Sequence, residues 1–316
     1  MRQATTTPIK TDGDLGVNVD SFLRHLRAEN LSANTVKTYR EAAVLFARFL
    51  AERGMPQDIA AIKREHIEAF IEDQLKRWKP ATASNRFRGL QSFWKWAVEE
   101  GEVKQSPMRR MRPPRLPEEA PPILHEAELT ALLKACSKGQ GFSDRRDHAL
   151  IRTLLDTGAR VGEIAGLRWT PEDDETNDVD LDQGLLRLFG KGRRWRLVSL
   201  GSKAVRALDR YIRLRDRHHA AASPALWIGG KGAFGHTGIR QMVKRRGLEA
   251  GIGPIHPHQL RHSAAHAWLA AGGQETDLMR LMGWRSRSMV QRYAASSGQE
   301  RALAAHKKLG LGDRVG

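Results

Sequence analysis

Six of the chain's 13 prolines fall within residues 105–122, QSPMRRMRPPRLPEEAPP. Proline lacks a backbone N–H and fixes φ, so neither a helix interior nor a central strand survives that density. The 316-residue chain must therefore fold on either side of this segment. Domains of roughly 100–200 residues make two such bodies the expected number. The segment reads as an extended linker. Its four arginines either track a phosphate backbone or simply keep it soluble.

Lys and Arg number 53 against 36 Asp and Glu, a formal net charge of +17. An excess that large points to a polyanionic partner, usually nucleic acid, over an unspecialised basic surface. Cys136 is the single cysteine, which excludes a disulfide scaffold and any multi-cysteine zinc module. No apolar run approaches the roughly 18–20 residues of a spanning helix. The opening MRQATTTPIKTDGDLG lacks the apolar core of a secretory signal. The expectation is a soluble, cytoplasmic protein with no membrane partner.

Residues 1–16 are polar and read as a flexible tail. Residues 17–104 carry helical periodicity. Phe22, Leu23 and Leu26 open one helix. Ser32 N-caps a second, with Val36, Tyr39, Ala43, Phe46 and Leu50 along one face, ended by Gly54 and Pro56. Ile67, Phe70, Ile71 and Leu75 mark a third, stopped before Pro80. Phe87, Leu90, Phe93, Trp94 and Ala97 mark a fourth, closed by Gly101. This is a small four-helix domain. Residues 123–316 mix helices with one β region. LLRLF (185–189) and WRLVSL (195–200) flank GKGRR as a hairpin, and the helical runs are 126–133, 144–157, 204–217, 237–250, 258–271, 276–282 and 288–293. The fold class is mainly α: a four-helix domain, then an α+β domain with a small hairpin sheet.

Three local patterns in the second domain carry chemistry. In Thr157-Gly-Ala-Arg160-Val-Gly-Glu163, a glycine ends one helix, and an arginine opens the next with a glutamate on its own face. Taken alone, that is an ordinary surface pair. In Gly190-Lys191-Gly192, flanking glycines let a hairpin tip bring a lysine close to a ligand, or merely turn. Neither this motif nor GGKGAFG (229–235) has the spacing of a phosphate-binding P-loop. In His256-Pro-His258-Gln-Leu-Arg261-His262, a proton-transfer group and a guanidinium fork share a helix face near its N-terminus, an arrangement suited to phosphate. His258, His262 and His266 also fall at i, i+4 and i+8, as a metal site would. With no acidic residue or cysteine close in sequence, and Arg261 adding positive charge, the metal reading is the weaker one. Finally, Tyr293 lies nine residues after Trp284 in a polar, arginine-rich segment. Of the three tyrosines, Tyr39 and Tyr211 read as packing. Tyr293 is poorly explained that way.

Together, and in this order, the patterns resemble the tyrosine recombinase (phage integrase) family. TGxRxxE, a hairpin GKG, HxLRH, a Gly-Trp segment and the later tyrosine are all present. Leu31-Ser-Ala-Asn34-Thr35-Val-Lys-Thr-Tyr39-Arg40 is similar to the family's SAM-like core-binding domain. The resemblance covers roughly residues 17 to 300 and is nearest to short Xer-like or simple phage integrases without an arm-binding domain. It implies a core-binding DNA-binding domain over 17–104 and a catalytic domain over 123–316. It also implies that Arg160 and Arg261 clamp the scissile phosphate, that Lys191 protonates the leaving 5′ oxygen and that His258 handles the nucleophile's proton. Trp284 stands where many relatives carry histidine, and Tyr293 is the nucleophile. Met282, Ser199 and Ala294 depart from commoner family residues without touching a catalytic role.

The reaction so implied is metal- and ATP-independent strand exchange between two duplex sites, because a 3′-phosphotyrosyl link conserves the energy of the broken phosphodiester. Phenol, with a pKa of about 10, needs a proton acceptor at neutral pH. The arginines stabilise the charge gathered in the transition state. No cofactor is implied. The expected partners are double-stranded DNA, three further copies in a homotetramer on paired sites and possible association with a directionality factor. Leu303, Ala304 and Leu309 give the C-terminal segment an apolar stripe for packing into a neighbouring copy or onto its own domain. DNA integration and excision is the first functional reading, and Xer-like dimer resolution the alternative. Type IB topoisomerase-like relaxation, a non-catalytic DNA binder and a histidine-based nuclease stand further off.

Overall fold

The computed structural model describes residues 13–117, 121–190, 192, 194–291, 293, 302–303, 306–307 and 310. The chain divides into two compact units, with the boundary at residues 118 and 119, inside the proline-rich segment.

The first unit contains α1 (Leu15–Ala28), α2 (Ala33–Glu52), a short 3-10 turn at Ile59–Ala61, α3 (Arg64–Arg77) and α4 (Pro80–Glu99). Helix α1 begins at Leu15, inside the expected tail of residues 1–16. The Leu15 N–H donates to Gln57 O at 3.1 Å, and Asp14 Oδ1 accepts from the Ile59 N–H at 2.7 Å, so the helix start is tied to the loop before α3. The Ser32 hydroxyl accepts from the Thr35 N–H at 3.1 Å and caps α2. Pro80 opens α4 at its first turn, where the missing N–H costs nothing. Phe22, Phe46, Phe70, Phe87, Phe93 and Trp94 fill the centre. Edge-to-face pairs such as Phe46–Phe70 at 5.3 Å orient the helices beyond simple burial. The proline-rich segment is not wholly extended: Met108 is buried against this core, and residues 107–110 form a turn.

The second unit runs through α5 (Glu126–Cys136), α6 (Phe142–Thr157), α7 (Val161–Ala165), β1 (Val179–Asp180), β2 (Leu185–Gly190), β3 (Arg194–Ser199) and α8 (Ser202–Arg215). It continues through β4 (Ile228–Gly229), β5 (Gly232–Ala233), α9 (His236–Glu249), α10 (Pro257–Ala270) and α11 (Glu275–Met282). Residues 287–291 and 293 are helical again. Strands β1, β2 and β3 form an antiparallel sheet, with β2 and β3 in register from Leu185↔Ser199 to Gly190↔Arg194. Leu186, Leu188 and Val198 point into the core, while Phe189, Trp195 and Leu197 face outward. The β4–β5 pair was not anticipated, because two-residue strands are too short to show alternation. Tyr211 is core: its hydroxyl donates to Leu226 O and accepts from the Ile228 N–H, both at 3.0 Å, and burial pushes its pKa up to about 12. Of the expected C-terminal stripe, Leu303 is exposed, while Ala304 and Leu309 lie outside the described residues. No helix among the described residues is long and apolar enough to cross a membrane.

Candidate active site

The site is built where helix ends of the second unit meet. Helix α6 stops at Gly158, whose φ of 54° is the left-handed conformation of a helix C-cap. A Cβ at that position would also collide with the thioether of Met282. The chain then turns into α7, with Arg160 as its N-cap. The backbone N–H of Arg160 donates to Glu163 Oε2 at 2.8 Å and its Nη1 donates to Oε1 at 3.0 Å. Glu163 is thus more than a surface partner: its side chain is only 4% exposed, while that of Arg160 remains 34% exposed.

Arg196 on β3 completes this cluster, and the sequence reading passed over it. Its Nη1 and Nη2 donate to Glu163 Oε1 and Oε2 at 3.0 and 2.7 Å, and its Nε donates to Leu281 O at 3.0 Å. One guanidinium therefore ties the hairpin to α7 and to the end of α11. A signal was available. The residue lies opposite Leu188 and two before Val198, so strand alternation turns it inward, where an arginine needs a partner. Burial alone would raise the Glu163 carboxyl, but the Arg196 hydrogen bonds, the Arg160 N–H and the two positive charges hold it below the ordinary 4.5. Its stabilisation is therefore present above pH 4.5 and is lost as pH falls through the lower folded value. Glu163→Gln is expected to lower stability near neutral pH and to shrink the loss on acidification. Denaturant titrations of both proteins across the acid range measure this. An unchanged acid slope would refute the assignment.

Helix α10 carries the next two residues. Pro257 occupies its first turn, and Gln259 Oε1 accepts the His256 N–H at 2.8 Å. Ser263 Oγ accepts the Leu124 N–H at 2.7 Å, anchoring α10 to the start of the unit. Arg261 is 2% exposed. It donates through Nη1 to Gly158 O and through Nη2 to Met282 O, the latter at 2.8 Å. Those carbonyls lie at the ends of α6 and α11, where helix dipoles favour a cation. Burial, then the charge of Arg160, nevertheless lowers the Arg261 pKa to about 10, which keeps it charged at neutral pH. His258 lies one turn before it, exposed to solvent. Surrounding protein atoms and then Arg261, Arg160 and Arg240 lower its pKa. A groove of about 710 Å³ lined in part by Arg240, Lys244, His256 and His258 opens beside it.

Gly283 ends α11 in the left-handed conformation and releases Trp284 into the same region. The Trp284 and Tyr293 rings stack at 5.1 Å with planes 16° apart, and the Arg261 guanidinium sits 5.4 Å from the indole ring. Trp284 Nε1 is buried without a hydrogen-bond partner among the described residues. Tyr293 is 2% exposed, and its hydroxyl hydrogen-bonds His262 Nδ1. Arg160, His258, Arg261, Trp284 and Tyr293 are thus gathered around the meeting point of α6, α7, α10 and α11. Lys191 lies outside the described residues, between Gly190 and Gly192 at the end of the hairpin. His262, weighed from sequence only as a metal ligand, touches the tyrosine hydroxyl. Among the described residues no group of three or more His, Cys, Asp or Glu side chains is placed to hold a metal ion.

The arrangement brings forked cations, imidazoles and a phenol together, a set of groups that suits phosphoryl transfer. The comparisons agree. Residues 122–300 match the phage integrase family, and residues 19–101 match the phage integrase N-terminal SAM-like domain. The chain is 29% identical over 293 residues to tyrosine recombinase XerC of Xanthomonas campestris pv. campestris (strain B100), covering 92% of this chain and 87% of that one. The structure of XerH site-specific recombinase bound to palindromic difH substrate, a post-cleavage complex, shares the fold with a TM-score of 0.76 and 17% identity, over 96% of this chain and 98% of that one. A lambda integrase tetramer bound to a Holliday junction gives 0.66 and 16%, over 86% and 77%.

Proposed function

The chain belongs to the phage integrase family, and we propose that Tyr293 is the nucleophile with which it carries out site-specific DNA recombination. The observation that carries this reading is the seating of the phenol, stacked on Trp284 and within the site that holds Arg261. Tyr293 Oη attacks the scissile phosphorus and expels the 5′ oxygen, leaving a 3′-phosphotyrosyl bond. A free 5′ hydroxyl from the partner duplex later reverses the step, so no ATP is consumed.

Each neighbour has a part in this proposal. Arg160 and Arg261 hold the non-bridging oxygens and stabilise the charge that grows on them, work that metal ions perform in other phosphoryl transfers. Arg160 keeps the more open side chain, while Arg261 is positioned by two backbone carbonyls. His258, expected from the resemblance to handle the nucleophile's proton, instead donates to a phosphate oxygen, because the phenol's hydrogen bond runs to His262. Trp284 Nε1 is a buried donor for another, and buried donors need partners. Lys191 gives its proton to the leaving oxygen.

Residues 17–104 serve as the core-binding domain, 105–122 as the linker and 123–316 as the catalytic domain. The DNA partner follows from the net charge of +17 and the likeness to DNA-bound recombinases. A homotetramer on paired sites is supported by the lambda integrase assembly. The setting is the cytoplasm, on nucleoid DNA, with a directionality factor as an added partner in the integrative reading. The XerC likeness over most of the chain favours dimer resolution as the second reading.

A nicked suicide duplex carrying a candidate core site, incubated in EDTA, tests the proposal. Wild-type protein is expected to form a DNA-linked band on a denaturing gel, and Tyr293→Phe none. A duplex bound by both proteins but linked by neither would instead indicate a DNA-binding protein without strand cleavage.

A further inference from the structure

The HxLRH run supplies two histidines, and the geometry divides their labour. The His258 and His262 rings meet edge to face at 4.5 Å. His258 is exposed beside the basic groove with Arg240 and Lys244. His262 is half-buried on the other side of that contact. Its ring lies 5.2 Å from that of Tyr293, with Nδ1 in hydrogen-bond contact with the phenolic oxygen. We propose that His262 is the group that takes the proton from Tyr293, leaving His258 to the phosphate. This rests on the reading of Tyr293 as nucleophile and deepens it.

As Tyr293 Oη bonds to phosphorus, its proton passes to Nδ1 of His262 and the bond from phosphorus to the 5′ oxygen breaks. That oxygen takes a proton from a separate donor, Lys191 in the reading above. In the return step the imidazolium gives its proton back to the phenolate oxygen as the oxygen leaves phosphorus. Atoms and charge balance without any co-reactant.

The surroundings suit an acceptor. Burial first, then His258 and Arg261, lowers the His262 pKa to about 4, so the ring is neutral at pH 7. With its proton on Nε2, the neutral ring leaves the Nδ1 lone pair for the phenol. In the free protein so weak a base leaves the phenol protonated. A phosphate seated on Arg261 offsets the positive charge nearby and raises the basicity of the ring when the substrate is in place.

The test uses the full chain and the suicide duplex on which wild-type protein forms its adduct. His262→Ala is expected to bind the duplex as wild type does in a mobility shift, yet to form adduct slower by about 10²–10⁴-fold, the usual worth of a general base. Imidazole in the buffer is expected to restore part of that rate. His262→Asn keeps an acceptor near the Nδ1 position but takes up no proton, and it is expected to stay slow. A duplex with a bridging 5′ sulfur, whose leaving group needs no proton, is expected to rescue Lys191→Ala and not His262→Ala. Near-normal cleavage by either His262 variant, or sulfur rescue of His262→Ala, would overturn the proposal. If the alanine variant does not fold, the asparagine variant decides alone. Adduct formation by Tyr293→Phe would instead bring down the underlying reading and the proposal with it.

Discussion

Arg261→Lys is expected to reduce the rate of covalent cleavage by about 10²–10³-fold, the cost of removing one preorganised donor from a transition-state site. The side chain is buried, donates to Gly158 O and Met282 O, and carries its charge beside the Trp284 ring. Lysine offers a point charge with three rotating donors on a differently shaped stem. It cannot span two carbonyls at the ends of α6 and α11 while also making the phosphate contact proposed for this residue. One carbonyl loses its partner, which costs about 1–3 kcal/mol, and the charge is no longer held in place. DNA affinity should change far less, because many exposed cations share the phosphate contacts. Single-turnover adduct formation on the suicide duplex, alongside a mobility shift and a thermal melt, separates the effects. Equal losses in binding and cleavage would mean that Arg261 merely holds DNA. Unimpaired cleavage would remove it from the chemistry.

Asp147→Ala is expected to destabilise the second unit by about 3–5 kcal/mol, the cost of leaving buried charges without their partner. Asp147 is fully buried. Its Oδ1 accepts from Arg146 Nε and Nη2 at 3.0 and 2.7 Å, and its Oδ2 accepts from Arg245 Nη2 and Arg246 Nε, both at 2.9 Å. Arg146 and Arg246 are themselves nearly buried, so the loss leaves two guanidinium groups in a low-dielectric interior without the carboxylate between their hydrogen bonds. Arg246 keeps Asp144 and Glu249, at 2.8 and 2.9 Å, which cushions it, whereas among the described residues Arg146 keeps only the Ile228 carbonyl and the Phe234 ring. At roughly 2–4 °C per kcal/mol for a domain of this size, the melting midpoint should fall by about 6–20 °C. Calorimetry of the full chain measures it. A shift below a degree or two would mean that the buried cluster adds little net stability. Asp147→Asn, which retains one accepting oxygen, should fall between.

Most of the architecture is legible in the sequence alone. Helical periodicity located the elements around Phe46, Phe93 and Leu154, because burial on one face of a helix writes a 3.6-residue repeat into the chain. Element ends were less legible. Helix α1 starts at Leu15 because Asp14 and Leu15 bond residues 57 and 59, a long-range tie that leaves no local mark. Met108 entered the first core from a segment whose prolines suggested only extension. Neither β4 nor β5 had the length to declare itself.

By itself the sequence determined the two-body division, through the prolines of 105–122. It also determined the order of the candidate groups from Arg160 to Tyr293, because residue type and spacing along the chain carry that information. Only the tertiary structure decided which groups touch. Arg196 reaches Glu163 across 33 residues and Leu281 across 85, and His262 reaches Tyr293 across 31. Such contacts depend on the angles at which helices and strands pack, and on side-chain directions fixed only once the core has closed. For the same reason the expected surface pair of Arg160 and Glu163 became a three-way cluster around a buried carboxylate. A carboxylate enclosed by the core must satisfy both its oxygens, and the hairpin placed the one guanidinium that does so.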